Sequence, residues 1–182
     1  FTVPRRRVLG GFAVAGLAVV GLIRLRTPIN LLLHSAISGT RTPVERYYLG
    51  VGRSATVTVV EDIHGWKLLT NGLPESGIDR EETPDRSFME TAWLPLLPTA
   101  ARPETDKMLI IGLGGAQTLA APASSVSSID VIELEGEVVV ANRLIPRLNN
   151  PLDEPRVTLR VGDARGEMNL SDRRNDALVS AT

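Results

Sequence analysis

Four short apolar runs in the carboxy-terminal half of the chain, most of them followed by glycine or an acid, leave few folds open. Met108 to Gly112 (MLIIG), Ile129 to Leu134 (IDVIEL), Val157 to Val161 and Asp176 to Ser180 are too short for independent helices and long enough for buried strands. Helical text separates them at Gly136 to Leu144 and at Gly166 to Leu170. Strands alternating with helices predict a parallel sheet with right-handed crossovers, and such sheets bind ligands beyond the carboxy ends of their strands.

The first strand runs into Gly112-Leu113-Gly114-Gly115-Ala116-Gln117. Glycines placed there permit a tight turn with positive φ and let a ligand approach the backbone. The dinucleotide fingerprint GxGxxG is not completed, because Gln117 occupies its third glycine position. These residues alone fit either a nucleotide-type loop or a plain turn. Glu133 closes the second strand about 20 residues after Gly112, the spacing that sets a carboxylate against the two hydroxyls of a ribose. Glu135 and Glu137 compete for that role, or simply favour the amino end of the next helix through its dipole. Asp163 follows the third strand, where it either accepts a hydrogen bond from an adenine amino group or caps the helix after it. Gly112 to Gly115, Glu133 and Asp163 are thus expected at one sheet edge.

Composition removes several alternatives. With no cysteine and only His34 and His64 as imidazoles, neither a thiolate nor a histidine metal site is expected, and no metal is expected at all. Residues 1–60 carry eight arginines against a single acid, whereas residues 61–182 carry twelve Lys or Arg against twenty acids. Aromatics are 4% of the chain, and the positive charge lies on an apolar head instead of the folded body, which argues against a nucleic-acid partner.

That head is Val8 to Ile23, sixteen residues without a charge, between Arg5-Arg6-Arg7 and the pair Arg24 and Arg26. As a helix it spans about 24 Å against about 30 Å of bilayer hydrocarbon. Extension to Leu33 would bury the two arginines at about 2.5 to 3.5 kcal/mol each near the bilayer centre. A membrane anchor ending near Ile23 is expected, since no small-residue cleavage site follows to mark a signal peptide. The soluble body is expected on the cytoplasmic side. The chain opens on Phe1, which predicts a removed leader or a piece of something longer.

Between head and sheet, period-two alternation begins at Ser54. Thr56 and Thr58 alternate with Val57 and Val59, His64-Gly65 reads as a turn, and Trp66 to Thr70 leads into Asn71-Gly72. Asn-Gly between apolar runs is a strong hairpin signal, so two or three antiparallel strands are predicted over 54–78. A charged loop follows at 79–86, then a helix over 88–97 interrupted by Pro95.

The succession GRSATVTVVED, NGLPESG, LIIGLGGAQT, DVIELEGEVVVANR, DEPRVTLRVGDARG and DALVS resembles spermidine synthase, the polyamine aminopropyltransferase family, over about residues 44–182. The likeness is closest to membrane-fused members, in which such a domain follows transmembrane helices. The resemblance implies a small β domain before a Rossmann-like, methyltransferase-type sheet. It further implies a decarboxylated S-adenosylmethionine donor (or S-adenosylmethionine itself) as co-substrate with no permanent cofactor, a polyamine acceptor such as putrescine, and compatibility with a homodimer. Carried over by position, Glu133 holds the ribose, Asp163 and Ala164 the adenine, and Gly112, Gly114, Gly115 and Gln117 belong to the donor loop. Glu90 remains from the acceptor-pocket Tyr-His-Glu, whose first two places are Phe88 and Met89. Gly115 stands where the family carries a donor-binding Asp, and Ala181 where it carries the catalytic Asp.

The expected organisation is therefore α/β. Residues 1–43 form a transmembrane anchor and linker, 44–103 a small β-hairpin domain plus helix, and 104–182 an incomplete Rossmann-like nucleoside-binding sheet, truncated after its fourth strand. Two other functions share this frame: an S-adenosylmethionine-dependent methyltransferase and a non-catalytic remnant.

Overall fold

Asn71 and Gly72 both take positive φ, 53° and 80°, and make the two-residue turn that their sequence predicts. The computed structural model describes residues 45–61, 63, 65–79 and 89–181. The expected anchor, His34, His64 and Phe88 lie outside these residues. Among the described residues, no helix is long and apolar enough to cross a membrane.

The Asn71-Gly72 turn joins the last two strands of an antiparallel meander. Its strands are β1 (Glu45–Val51), β2 (Thr56–Glu61), β3 (Gly65–Thr70) and β4 (Leu73–Asp79), in that spatial order. β1 lies upstream of the expected hairpins. Alternation on β2 is incomplete, because Thr58 and Val60 are buried along with Val57 and Val59. Val57, Val59, Trp66, Leu68 and Ile78 face the main core, while Val60 and Leu69 form a small cluster of their own.

Helix α1 (Met89–Ala101) runs through Pro95 and Pro98 instead of breaking at the first. An interior proline costs about 3 kcal/mol; Pro95 and Thr99 are buried against the rest of the fold.

The parallel sheet comprises β5 (Lys107–Ile111), β6 (Ser128–Glu133), β7 (Val157–Val161) and β8 (Ala177–Ser180), in the order β7-β6-β5-β8. Its connections carry the short helix α2 (Gln117–Ala120), α3 (Gly136–Leu144), a 3-10 turn at Pro151–Asp153, and α4 (Ala164–Leu170). α4 starts two residues earlier than expected, because Asp163 caps it. The chain steps from β5 to β6 to β7 and then crosses back to place β8 on the other side of β5. That reversal is the point where open α/β sheets form a crevice. Met108, Ile110, Ile129, Val131 and Val179 join the meander's apolar residues in one core, so the two sheets pack on each other.

Candidate functional site

A cavity of about 450 Å³ opens at the carboxy ends of the parallel strands. Its floor is built by Ile111 and Gly112 after β5, Glu133 at the end of β6, Asp163 and Ala164 after β7, and Ala181 after β8. Its other wall belongs to the meander: Ser54 and Ala55 from the β1–β2 turn, and Thr70, Asn71 and Glu75 around the β3–β4 turn.

The glycine loop leaves β5 sharply. Gly112 and Gly114 take φ of 88° and 49°, and Ala116 follows at 62° in the same left-handed region, uncommon for a residue with a Cβ. The loop is fastened from behind. Asn142 on α3 donates to the Gly114 carbonyl at 2.7 Å, and Arg147 donates to the Gly115 carbonyl at 3.0 Å and to Asn142 Oδ1 at 2.8 Å. Burial lowers the pKa of the Arg147 guanidinium.

Glu133 is 7% exposed and already engaged. Its Oε2 accepts the Leu113 N–H at 2.7 Å and its Oε1 the Glu135 N–H at 2.8 Å, so one carboxylate clamps the glycine loop to the start of α3. Each oxygen keeps a second lone pair for a ligand hydroxyl. Asp163 accepts from the Arg165 and Gly166 N–H groups at 3.2 and 3.3 Å, which makes it the α4 N-cap while it still lines the cavity.

Gly112, Glu133, Asp163 and Ala164 therefore meet on one cavity. Gly114, Gly115 and Gln117 do not line it. A Cβ on Gly115 would lie 2.8 Å from Ser76 Oγ and 2.9 Å from Ile78 Cγ1, so this glycine lets the loop pack directly on β4. Gln117 bridges elements: its Nε2 donates to the Gly77 carbonyl, and its Oε1 accepts from Thr91 Oγ1 at 3.3 Å. Glu90 lies in the first turn of α1, and its side chain is outside the described set.

Sequence reasoning missed the residues that hold the meander over the sheet. Glu135 caps α3 through the Glu137 N–H at 3.3 Å, as its position before a helix suggests. Its other oxygen accepts the Ser54 N–H and Ser54 Oγ–H, both at 2.9 Å, and the Ala55 N–H at 3.1 Å. These bonds, that from the Ser54 backbone foremost, hold the carboxyl down to about 2 against the opposing effect of burial. Beside it, Tyr48 donates its hydroxyl to Glu137. Burial first, then this bond and the Glu137 charge, push the phenol up to about 12. Gly50 and Gly52 make both contacts sterically feasible, since a Cβ on either would overlap the Glu137 or Glu135 carboxylate.

Among the described residues, four acids line the cavity, Glu75, Glu133, Glu135 and Asp163, and no Lys, Arg or His does. A second cavity, about 320 Å³, lies by α4 and the body of the sheet. Its Arg160 and Arg173 are paired with Asp130 or Glu167, and it gathers none of the expected site residues. Among the described residues, no group of three or more potential ligands is arranged to hold a metal ion.

Two solved structures share this architecture. Spermidine synthase from Thermotoga maritima matches with TM-score 0.63 and 22% identity over 75% of this chain and 48% of its own. A spermidine synthase in complex with the transition state analogue AdoDATO matches with TM-score 0.63 and 22% identity over 75% of this chain and 46% of its own. The chain thus has a spermidine-synthase-like fold and spans about half the length of these proteins. No protein-family model and no curated protein matches it.

Proposed function

We propose that the cavity at the strand ends binds an adenosyl sulfonium donor, and that the chain is the donor-binding part of a spermidine-synthase-like transferase acting on a polyamine. The observation that carries this reading is the charge of the cavity. Among the described residues, four carboxylates and no cationic side chain line a space at the sheet's switch point, which favours a positively charged ligand. A donor with an ammonium and a sulfonium suits such walls.

The same observation favours the decarboxylated donor over S-adenosylmethionine. The methionine carboxylate would sit among four acids with no side-chain cation among the described residues to offset it. In this reading Glu133 takes the ribose hydroxyls, Asp163 and Ala164 face the adenine, and Gly112 lets the donor approach the backbone. The reaction supported is attack of an acceptor amine on the methylene carbon bonded to sulfur. The C–S electron pair leaves with the thioether, the C–N bond forms, and the nitrogen then loses a proton.

The test is calorimetric titration of the full chain with decarboxylated S-adenosylmethionine and with S-adenosylmethionine, repeated on Glu133→Ala. The decarboxylated donor is expected to bind at least about tenfold more tightly, a difference of about 1.4 kcal/mol. Loss of Glu133 is expected to weaken it by about 1 to 3 kcal/mol. Equal affinities, or a preference for the carboxylated donor, would favour the methyltransferase reading, and binding of neither would leave a non-catalytic remnant.

We further propose that residues 8–23 attach this domain to the cytoplasmic face of a membrane, motivated by the uncharged run between arginines. Membrane retention after high-salt washing is expected on fractionation. A fully soluble chain with its head intact would overturn it.

A further inference from the structure

Arg147 is a half-buried cation to which, among the described residues, no carboxylate is paired. Its Nε is buried with no hydrogen-bond partner among them, and its bonds run from Nη2 to two neutral oxygens, the Gly115 carbonyl and Asn142 Oδ1. Taking a guanidinium out of water for two neutral acceptors is unfavourable. A use beyond filling space is therefore to be sought in what those acceptors belong to.

Asn142 is fully buried and fixed on α3 from two sides, since its Nδ2 donates to the Val138 carbonyl at 2.9 Å and its backbone carbonyl accepts from Asn150 Nδ2 at 3.2 Å. The same Nδ2 holds the Gly114 carbonyl. Gly114 and Gly115 are the central residues of a turn closed by the Ala116 N–H on the Leu113 carbonyl at 2.8 Å. Rotating either central peptide would change the turn type, and it would break the bond from Asn142 or the bond from Arg147. The turn begins at Leu113, whose N–H holds Glu133 Oε2, and Gly112 before it lines the cavity. Arg147 does not line that cavity. A chain of bonds nevertheless leads from its guanidinium through the turn to the cavity carboxylate of Glu133.

From this connectivity we propose that Arg147, together with Asn142, is a positioning residue of the donor site: it holds the glycine turn so that the Leu113 N–H keeps the Glu133 carboxylate oriented to accept the ribose hydroxyls. Its effect is on selectivity for ribose over 2′-deoxyribose. The inference rests on the adenosyl reading, because it assigns what supports Glu133 in that role.

The experiment titrates the full chain with 5′-methylthioadenosine and with its 2′-deoxy analogue by calorimetry, and follows amide hydrogen exchange in the unliganded proteins by NMR. It compares the unmodified protein with Arg147→Met, Arg147→Gln and Arg147→Lys, so that failure of one variant to fold leaves the others. The unmodified protein is expected to prefer the ribose form at least about tenfold, the scale of one hydrogen bond to a charged group. In the Met and Gln variants that preference is expected to shrink toward equality, with faster exchange at Leu113 and unchanged protection along β5. Arg147→Lys keeps a charged donor and is expected to retain most of the preference. A residue that only stabilises the fold would lower the unfolding midpoint and leave the ratio of the two affinities alone. An unchanged ratio in the Met and Gln variants, no ribose preference in the unmodified chain, or Leu113 exchange that changes only in step with β5 would each overturn the proposal. If neither thioether binds while Leu113 exchange still depends on Arg147, the adenosyl reading falls and Arg147 remains the residue that positions the turn. Binding with the same preference in every variant is the reverse outcome.

Discussion

Glu135→Gln isolates the fastening between the two sheets. The substitution keeps the side chain's shape and removes its charge, and it replaces one acceptor oxygen by an NH₂ group facing N–H donors. Either the Ser54–Ala55 turn or the Glu137 cap then loses its acceptor. The drop from 4.5 to about 2 in the carboxyl's pKa corresponds to at most about 3 kcal/mol of preferential interaction with the ionised form. The carboxylate borders an open cavity, and solvent screening there reduces this to about 1 to 2 kcal/mol. Because the folded pKa is depressed, this stabilisation is fully present above the ordinary value of 4.5 and is lost as pH falls toward about 2. Urea unfolding of the full chain, followed by fluorescence of the buried Trp66, measures it. Near neutral pH the variant is expected to unfold at a lower midpoint with unchanged slope. The gap between the two proteins should narrow as acid protonates Glu135 in the unmodified chain. Identical midpoints near neutral pH, or a gap that stays constant through the acid range, would refute the reasoning.

Gly52→Ala places a Cβ on the Glu135 carboxylate and is expected to cost about 1 to 3 kcal/mol in urea unfolding. Combined with Glu135→Gln it should be clearly non-additive, since both break one contact. Gly115→Asp supplies the acid that the resemblance implies at this position, yet its side chain would start against Ser76 and Ile78. It is expected to lower the unfolding midpoint and to leave donor affinity, read by calorimetry, no tighter. Ala181→Asp is expected to yield no spermidine above background when label transfer from decarboxylated donor to putrescine is followed, because Phe88 and Met89, which the resemblance would set in the acceptor pocket, stay apolar. Steady turnover would show that a single carboxylate was the missing part.

What could be read from the chain was what depends on near neighbours. The Asn71-Gly72 turn, α3 and β7 follow from local chemistry and periodicity, and Glu133 follows from its distance to Gly112. β1 escaped notice because its pairing slips between Arg46 and Tyr48, and a bulge there destroys the period-two signal. α1 escaped correct bounding because a local rule about proline yielded to packing. Glu75 as a cavity-lining acid, and Glu135 as the fastening of the meander, were illegible for a related reason. The first owes its direction to a ladder irregularity, and the second owes its partners to a turn some eighty positions earlier. The acceptance of Gly115 against Ser76 could not be read either, since it needs β4 and the glycine loop to meet.

The strand orders of the two sheets also imply a sequence of events in time. β1 to β4 pair only with chain neighbours through short turns, so the meander can form early, with little loop entropy to overcome. β8 instead pairs with β5 across the intervening β6, β7 and their helices, which makes it the last strand able to dock. Gly112 and Ala181 come into register only when that pairing closes, so the cavity is completed at the end of folding. A ligand that bridges the two strand ends should therefore slow unfolding strongly while leaving the folding rate nearly untouched.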